Sequence, residues 1–157
     1  IDGWLSDSEG ELLYKLAKEV PSGQAIVELG SWKGKSTVWL AKGTEAGQRN
    51  EVYSIDPHSG TKAHVSEGEM NTYTAFLTNL TKAGGQATVV PLVTTSEKCA
   101  RRWREGVGLL WVDASARYVP SAIELTMEVS EVKTTGSKCQ STWTCRARSY
   151  VDNEIIV

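Results

Sequence analysis

Short, continuous apolar runs recur along the chain at intervals that leave room for a helix between them. The last of these runs, VGLLWV, contains no polar residue, as expected of a parallel strand that is covered on both faces. Strands that alternate with helices indicate βαβ units and a mostly parallel sheet. The runs predict strands at residues 25–29, 51–55, 87–93 and 107–112.

Helical periodicity precedes and separates these strands. Ser6 or Ser8 can cap a first helix that extends to Lys18. A second helix is expected over about residues 34–42, with Gly43 as its end. A third helix is expected at 69–83, with its core face formed by Met70, Tyr73, Phe76, Leu77 and Leu80. A fourth is expected after a Thr-Thr-Ser cap, with its core face formed by Cys99, Ala100 and Trp103.

The stretch AIVELGSWKGKSTVW, residues 25–39, places a glycine-containing loop between the first strand and the second helix. Gly30 and Gly34 permit close approach to the backbone, and Ser31 between them is small. The start of a helix offers free N–H groups and the positive end of the helix dipole. This unit is typical of a nucleotide-type binding site.

Several sites share that outline. A P-loop needs one more residue than this loop has, and a dinucleotide fingerprint needs Gly where Trp32 stands. The pattern from Glu28 through Gly30 to Gly34 resembles motif I of the class I methyltransferases that use S-adenosylmethionine (SAM), a cofactor with a cationic sulfonium, an α-amino group and no phosphate. A turn whose glycines serve only its geometry is the remaining alternative.

Asp56 follows the second predicted strand and stands one βαβ unit after Gly30. The two oxygens of a carboxylate can accept both hydroxyls of a ribose. Asp56 and the glycine loop together therefore indicate a nucleoside-bearing cofactor. Residues 57–68, which include His58 and His64, lack periodicity and are predicted to form a lid or a substrate loop.

Composition narrows the function classes. A chain of 157 residues is predicted to form a single domain, and its net charge of −2 provides no basic field for nucleic acid. No apolar run approaches the roughly 20 residues of a membrane span. The three cysteines do not have the spacing of a disulfide framework or a zinc site, so no metal and a cytoplasmic location are expected.

The order of the motifs ELGSWKGKST, VYSIDP, TTSEKCA and GLLWVDASARY is similar to that of a small bacterial and archaeal group of class I SAM-dependent methyltransferases, which includes cephalosporin-hydroxylase-like and sugar O-methyltransferases. The resemblance covers about residues 4–118. It implies a three-layer, Rossmann-like α/β fold with a mostly parallel sheet. It also implies SAM as the cofactor and methyl transfer to a small-molecule acceptor, at oxygen.

The resemblance assigns cofactor contacts by position. The methionine part would be held at the first strand and the loop after it, by Glu28, Gly30, Ser31 and Gly34. The ribose would be held after the second strand by Asp56 and Pro57, and the adenine would lie at Ser96 and Glu97 after the third. Asp113, after the fourth strand, would lie beside the methyl group.

The catalytic residue is left open, with Asp113, His58 and Tyr118 as candidates. In this group a His usually stands at the position of Ala116, and often an acidic residue at that of Ser115. Positioning dominates an in-line methyl transfer, so a base is optional for an easily ionised acceptor. A catalytically inactive SAM-binding or assembly domain is the alternative function.

Residues 119–157 depart from the group. They can supply a helix at 119–132 and a strand at 150–157, but not the three further strands that usually close the sheet. An unpaired edge on the fourth strand predicts a homodimer, with the apolar Ile155, Ile156 and Val157 at the contact. The alternative is a tail that closes the sheet within one subunit.

Overall fold

A computed structural model describes residues 1–59, residues 71–113 and the backbone of a strand at 154–156. Its helices are α1 (Asp7–Glu19), α2 (Lys35–Glu45), α3 (Tyr73–Ala83) and α4 (Ser96–Ala100). Its strands are β1 (Ala25–Leu29), β2 (Val52–Ile55), β3 (Val89–Leu92), β4 (Val107–Val112) and β5 (Glu154–Ile156).

The strands form one sheet in the order β3-β2-β1-β4-β5. β1 is parallel to both β2 and β4, β2 is parallel to β3, and β5 is antiparallel to β4. The chain builds outward from β1 through β2 to β3 and then returns to the other side of β1. This reversal is a topological switch point, where open α/β sheets bind ligands at the carboxyl ends of their strands. The predicted fold class is confirmed.

Apolar side chains pack on both faces of the sheet. Helices α1, α2 and α3 cover the face that carries Ile26, and α4 lies on the face that carries Val27. Alternation along β1 puts neighbouring residues on opposite faces. The first face is built on the fully or nearly buried Leu13, Ala17, Leu40, Phe76, Leu80, Val52, Leu109 and Trp111, and the second on Leu29, Ile55 and Leu110.

A capping box begins α1. The Ser6 hydroxyl accepts a hydrogen bond from the Glu9 amide at 3.3 Å, and a Glu9 carboxylate oxygen accepts one from the Ser6 amide at 2.7 Å. Two amide groups at the helix start are thereby satisfied. Of the two candidate caps, Ser6 is the one used.

The predicted end of α2 at Gly43 is wrong, because the helix continues to Glu45. A Cβ added at Gly43 would lie 2.3 Å from the Tyr14 carbonyl oxygen of α1. Gly43 therefore permits close contact between two helices and does not end one. Leu77 also differs from expectation, since 39% of its surface is exposed, and Cys99 and Trp103 are only partly buried.

β5 covers the outer edge of β4 within the same chain, pairing Ile156 with Leu110 and Ile155 with Trp111. The open edge that motivated the homodimer is therefore closed by the chain itself, as the alternative expected. The homodimer stays a prediction without that support. Met70, His64, Tyr118 and the predicted helix at 119–132 lie outside the described residues.

Candidate functional site

Three ladder hydrogen bonds continue past the strand ends and align the residues that follow β1, β2 and β4. The Gly30 amide donates to the Ile55 carbonyl at 2.9 Å, and the Asp56 amide donates to the Leu92 carbonyl at 3.2 Å. The Asp113 amide donates to the Leu29 carbonyl at 2.8 Å. Gly30, Asp56 and Asp113 therefore lie along the carboxyl edge of the sheet, on both sides of the switch point.

The loop after β1 uses the left-handed backbone region three times, at Gly30 (φ +88°), Trp32 (φ +43°) and Gly34 (φ +84°). The Gly34 amide donates to the Ser31 carbonyl at 2.7 Å and closes the turn. A Cβ at Gly34 would lie 2.9 Å from the ring of Phe76 in α3. Gly34 is therefore required both for its conformation and for its space.

Gly34 is also the residue that precedes α2, and it has no side chain with which to cap the helix. Ser6 and Thr95, by contrast, cap α1 and α4 with their hydroxyls. The amides in the first turn of any helix have no partner within that helix. The start of α2, which faces the loop, therefore combines N–H donors with the positive end of the helix dipole.

Asp56, the residue after β2, holds this loop through hydrogen bonds. Its Oδ2 accepts hydrogen bonds from the Ser31 and Trp32 amides, both at 2.9 Å. Its Oδ1 accepts one from the His58 amide at 2.6 Å. A carboxylate oxygen has two lone-pair directions, so Oδ1 can still accept a hydrogen bond from a ligand hydroxyl.

Glu28, which the resemblance placed among the cofactor contacts, lies inside the protein. It is completely buried, and its Oε1 accepts a hydrogen bond from Ser36 Oγ at 2.5 Å. Its Oε2 accepts from Thr37 Oγ1 at 2.5 Å and from Ser54 Oγ at 3.0 Å. Burial raises the pKa of Glu28 to about 7, against the effect of the three hydroxyl donors, while the nearby Asp113 raises it further.

Sequence reasoning did not identify these three hydroxyl partners of Glu28. Ser54 interrupts the apolar residues of β2, and Ser36 and Thr37 follow the loop directly. All three side chains are buried. A polar residue in an otherwise apolar strand was the available signal, because buried polar groups require hydrogen-bond partners.

Asp113 follows β4 and is exposed as a residue, but the protein around its carboxyl group removes part of its hydration. This loss of hydration, with a smaller effect of the negative Glu9, raises the pKa of Asp113 to about 6. A carboxylate with that pKa is ionised at neutral pH and is a stronger base than an ordinary aspartate.

His58 is packed against α3. It is 4% exposed, and its ring centroid lies 5.1 Å from that of Tyr73 and 5.2 Å from that of Phe76. His58 Nδ1 lies 3.0 Å from Thr72 Oγ1, within hydrogen-bonding distance. Burial lowers the pKa of His58, partly offset by the charge of Asp56, and so favours a neutral ring. Pro57 beside it is exposed.

The amino-terminal segment lies on the glycine loop. Trp4 stacks on Trp32 with ring centroids 5.1 Å apart, although 80% of the Trp4 surface is exposed. Lys35 Nζ donates to the Gly3 carbonyl at 3.3 Å, and Lys33 Nζ lies 3.5 Å from an Asp2 carboxylate oxygen. This segment therefore forms one wall of the loop.

β3 ends beside Asp56, because the Leu92 carbonyl accepts the hydrogen bond from the Asp56 amide. Ser96 is partly buried at the start of α4. Glu97 is exposed and its carboxylate accepts a hydrogen bond from Arg101 Nη2 at 2.5 Å, on the surface of the same helix. Within residues 1–59 and 71–113, no three His, Cys, Asp or Glu residues are grouped to hold a metal ion. The same residues contain no helix long and apolar enough to cross a membrane.

A mostly parallel sheet with this strand order, a glycine loop after β1 and an aspartate after β2 are the features that the resemblance to class I methyltransferases implied. A family model described as a methyltransferase domain matches residues 27–136. The chain belongs to this methyltransferase-domain family.

Solved structures agree with this assignment at the level of the fold. They include cofactor-bound Rv0187 from MTB (24% identity, TM-score 0.54, 72% of this chain and 46% of that one). The O-methyltransferase TomG from Streptomyces achromogenes, in complex with SAM, has 20% identity and a TM-score of 0.55 over 74% of this chain and 48% of its own. The O-methyltransferase from Bacillus cereus, in complex with S-adenosylhomocysteine (SAH), has 19% identity and a TM-score of 0.51 over 72% of this chain and 47% of its own. The chain thus spans about half the length of these structures.

Proposed function

We propose that this chain binds SAM and transfers its methyl group to an oxygen of a small-molecule acceptor. The observation that carries the proposal is the alignment of Gly30, Asp56 and Asp113 at the switch point, with Asp56 bonded to the glycine loop. Membership of the methyltransferase-domain family supports methyl transfer. The SAM- and SAH-bound O-methyltransferases of the same fold support the cofactor and the oxygen target.

The residues around the loop fit this cofactor. Ser31 Oγ is buried and has no hydrogen-bond partner among the described residues, so it is available to a polar group of a ligand. With Gly30 and Gly34, Ser31 would hold the methionine part against the start of α2. Asp56 Oδ1 would accept a ribose hydroxyl, with Pro57 beside it. Ser96 and Glu97 would edge the adenine, Ser96 more closely because Glu97 is engaged by Arg101.

When bound, SAM supplies an electrophilic methyl group on its sulfonium. The protein has to orient an acceptor oxygen in line with that methyl and exclude water. Asp113 would accept the proton of the acceptor hydroxyl at a carboxylate oxygen, for which its raised pKa suits it. Tyr118 is proposed to line the acceptor pocket. His58 is better suited to hold the Asp56 region against α3 than to act as the base, because its ring is buried.

Calorimetry with SAH, followed by turnover of labelled SAM on a panel of hydroxylated acceptors, tests the proposal. We expect SAH binding, labelled product with at least one acceptor, and loss of turnover without loss of SAH binding in Asp113→Asn. Absence of SAH binding would overturn the cofactor assignment. SAH binding without turnover on any acceptor would instead favour the inactive SAM-binding domain, which the present observations do not favour.

A further inference from the structure

Glu28 occupies the acidic position of the loop motif, yet its carboxylate points away from the loop surface. Glu28 and Thr37 are both 0% exposed, and Ser36 is 4% exposed. Oε1 and Oε2 already accept three hydrogen bonds from the chain's own hydroxyls. A ligand at the surface of the loop therefore has no free acceptor on this carboxylate to bind, and the groups of the loop nearest to it are those of the backbone.

The three donors belong to the two elements that frame the site. Ser36 and Thr37 are in the first turn of α2, two and three residues after Gly34, and Ser54 is in β2, two residues before Asp56. A buried carboxyl group is costly without hydrogen-bond partners, whether it is ionised or protonated. Glu28 in β1 therefore fixes the rotation of α2 about its axis, and with it the direction of the first-turn amides.

We propose that Glu28 is a positioning residue, which acts through the Ser36 and Thr37 hydroxyls to aim the first turn of α2 at the amino-acid end of the cofactor. This inference rests on the proposed function, because it needs SAM or SAH as the ligand. A direct contact between Glu28 and the methionine part would not involve Thr37. The positioning role predicts instead that the buried Thr37 hydroxyl affects the affinity for SAH without touching it.

The experiment is a double-mutant cycle of Glu28→Gln and Thr37→Val, with SAH affinity measured by calorimetry. Each single variant should weaken SAH binding roughly tenfold, because the first-turn amides of α2 would no longer be held toward the ligand. The losses in the double variant should add up to less than the sum of the two single losses, because both changes disturb the bond between Thr37 and Glu28. Thr37→Ser, which keeps the hydroxyl, should retain the affinity of the unaltered chain.

Thr44→Val is the matched control. Thr44 is also buried in α2, and its hydroxyl donates to the Asn50 carbonyl at 3.0 Å, at the far end of the helix. Its loss should lower the melting temperature without changing SAH affinity. A second ligand, 5′-methylthioadenosine, has the nucleoside but no amino-acid end, so its affinity should be unchanged in Thr37→Val.

The outcomes separate the two proposals. If the unaltered chain does not bind SAH, the proposed function fails and this inference fails with it. If the unaltered chain binds SAH but Thr37→Val binds equally well, only the inference is overturned. Additive losses in the double variant, or equal losses for 5′-methylthioadenosine, would likewise overturn it.

Discussion

The Asp56 carboxylate lies 2.9 Å from the Trp32 amide nitrogen, so the end of β2 holds the loop that follows β1. Trp32 has a φ of +43°, a conformation that costs a non-glycine residue roughly 1–2 kcal/mol. The hydrogen bond from its amide to a charged acceptor offsets much of that cost. Asp56 therefore stabilises the left-handed conformation of the loop at Trp32.

We predict that Asp56→Ala weakens SAH binding by about 1–3 kcal/mol, because it removes both the hydrogen bonds that hold the loop and the proposed acceptor for the ribose. Calorimetry measures the change. Asp56→Asn is the control. Its side-chain carbonyl oxygen can still accept a hydrogen bond from a loop amide, so the loss of SAH affinity should be smaller. Unchanged affinity in Asp56→Ala would contradict the ribose assignment.

Gly34→Ala is predicted to destabilise the fold by about 2–4 kcal/mol, from a left-handed φ of +84° together with a Cβ 2.9 Å from the Phe76 ring. Urea unfolding measures the change in the free energy of unfolding. Gly23→Ala is the matched control, because Gly23 has a φ of +81° and nothing within 4 Å of its added Cβ. Equal losses in the two variants would show that the Phe76 contact costs nothing.

The Glu28 carboxyl makes stability depend on pH. Its pKa is about 7 in the folded chain against an ordinary 4.5, so the folded state binds the proton more tightly than the unfolded state does. The stabilisation is complete below about pH 4.5 and is lost as the pH rises to 7, by about 2–3 kcal/mol. Glu28→Gln should remove this slope from unfolding curves between pH 4.5 and 7. The same slope in both proteins would assign it to other groups, Asp113 first among them.

SAH should raise the melting temperature, whereas ATP with magnesium and NAD should not. The loop is one residue short for a P-loop, and Trp32 stands where a dinucleotide site needs glycine. Thermal unfolding with each ligand at the same concentration gives the comparison. A larger shift with ATP and magnesium than with SAH would show that the loop is a phosphate-binding site and not a SAM site.

Removing residues 150–157 should lower the melting temperature and promote association, because β4 would lose the partner that covers its outer edge. Light scattering at several concentrations, on the full chain and on a chain ending at Ser149, checks this. A full-length dimer that the truncation abolishes would restore the homodimer predicted from the sequence. A truncated chain as stable and monomeric as the full one would show that β5 contributes nothing.

The strands that could be predicted best were those with continuous apolar runs. The predicted ranges 25–29 and 107–112 coincide with β1 and β4, because a strand buried on both faces contains few polar residues. The end of α2 could not be predicted. Gly43 is a local stop signal, and only the contact with Tyr14 shows that the glycine serves packing.

The site was predictable in its backbone and less so in its side chains. Motif spacing placed Gly30 and Asp56 at neighbouring strand ends, as the ladder hydrogen bonds confirm. The inward direction of Glu28 depends on hydroxyls that are distant in sequence, such as Ser54. The burial of His58 depends on aromatic rings of α3, which no local pattern links to it.

The ladder hydrogen bonds that extend β1, β2 and β4 by one residue also have a kinetic consequence. The amide hydrogens of Gly30, Asp56 and Asp113 are bonded to carbonyls of neighbouring strands, so we expect them to exchange with solvent more slowly than amides without such bonds. Hydrogen exchange should therefore separate the anchoring points of the site, which belong to the sheet, from the exposed amino-terminal segment that lies on the loop.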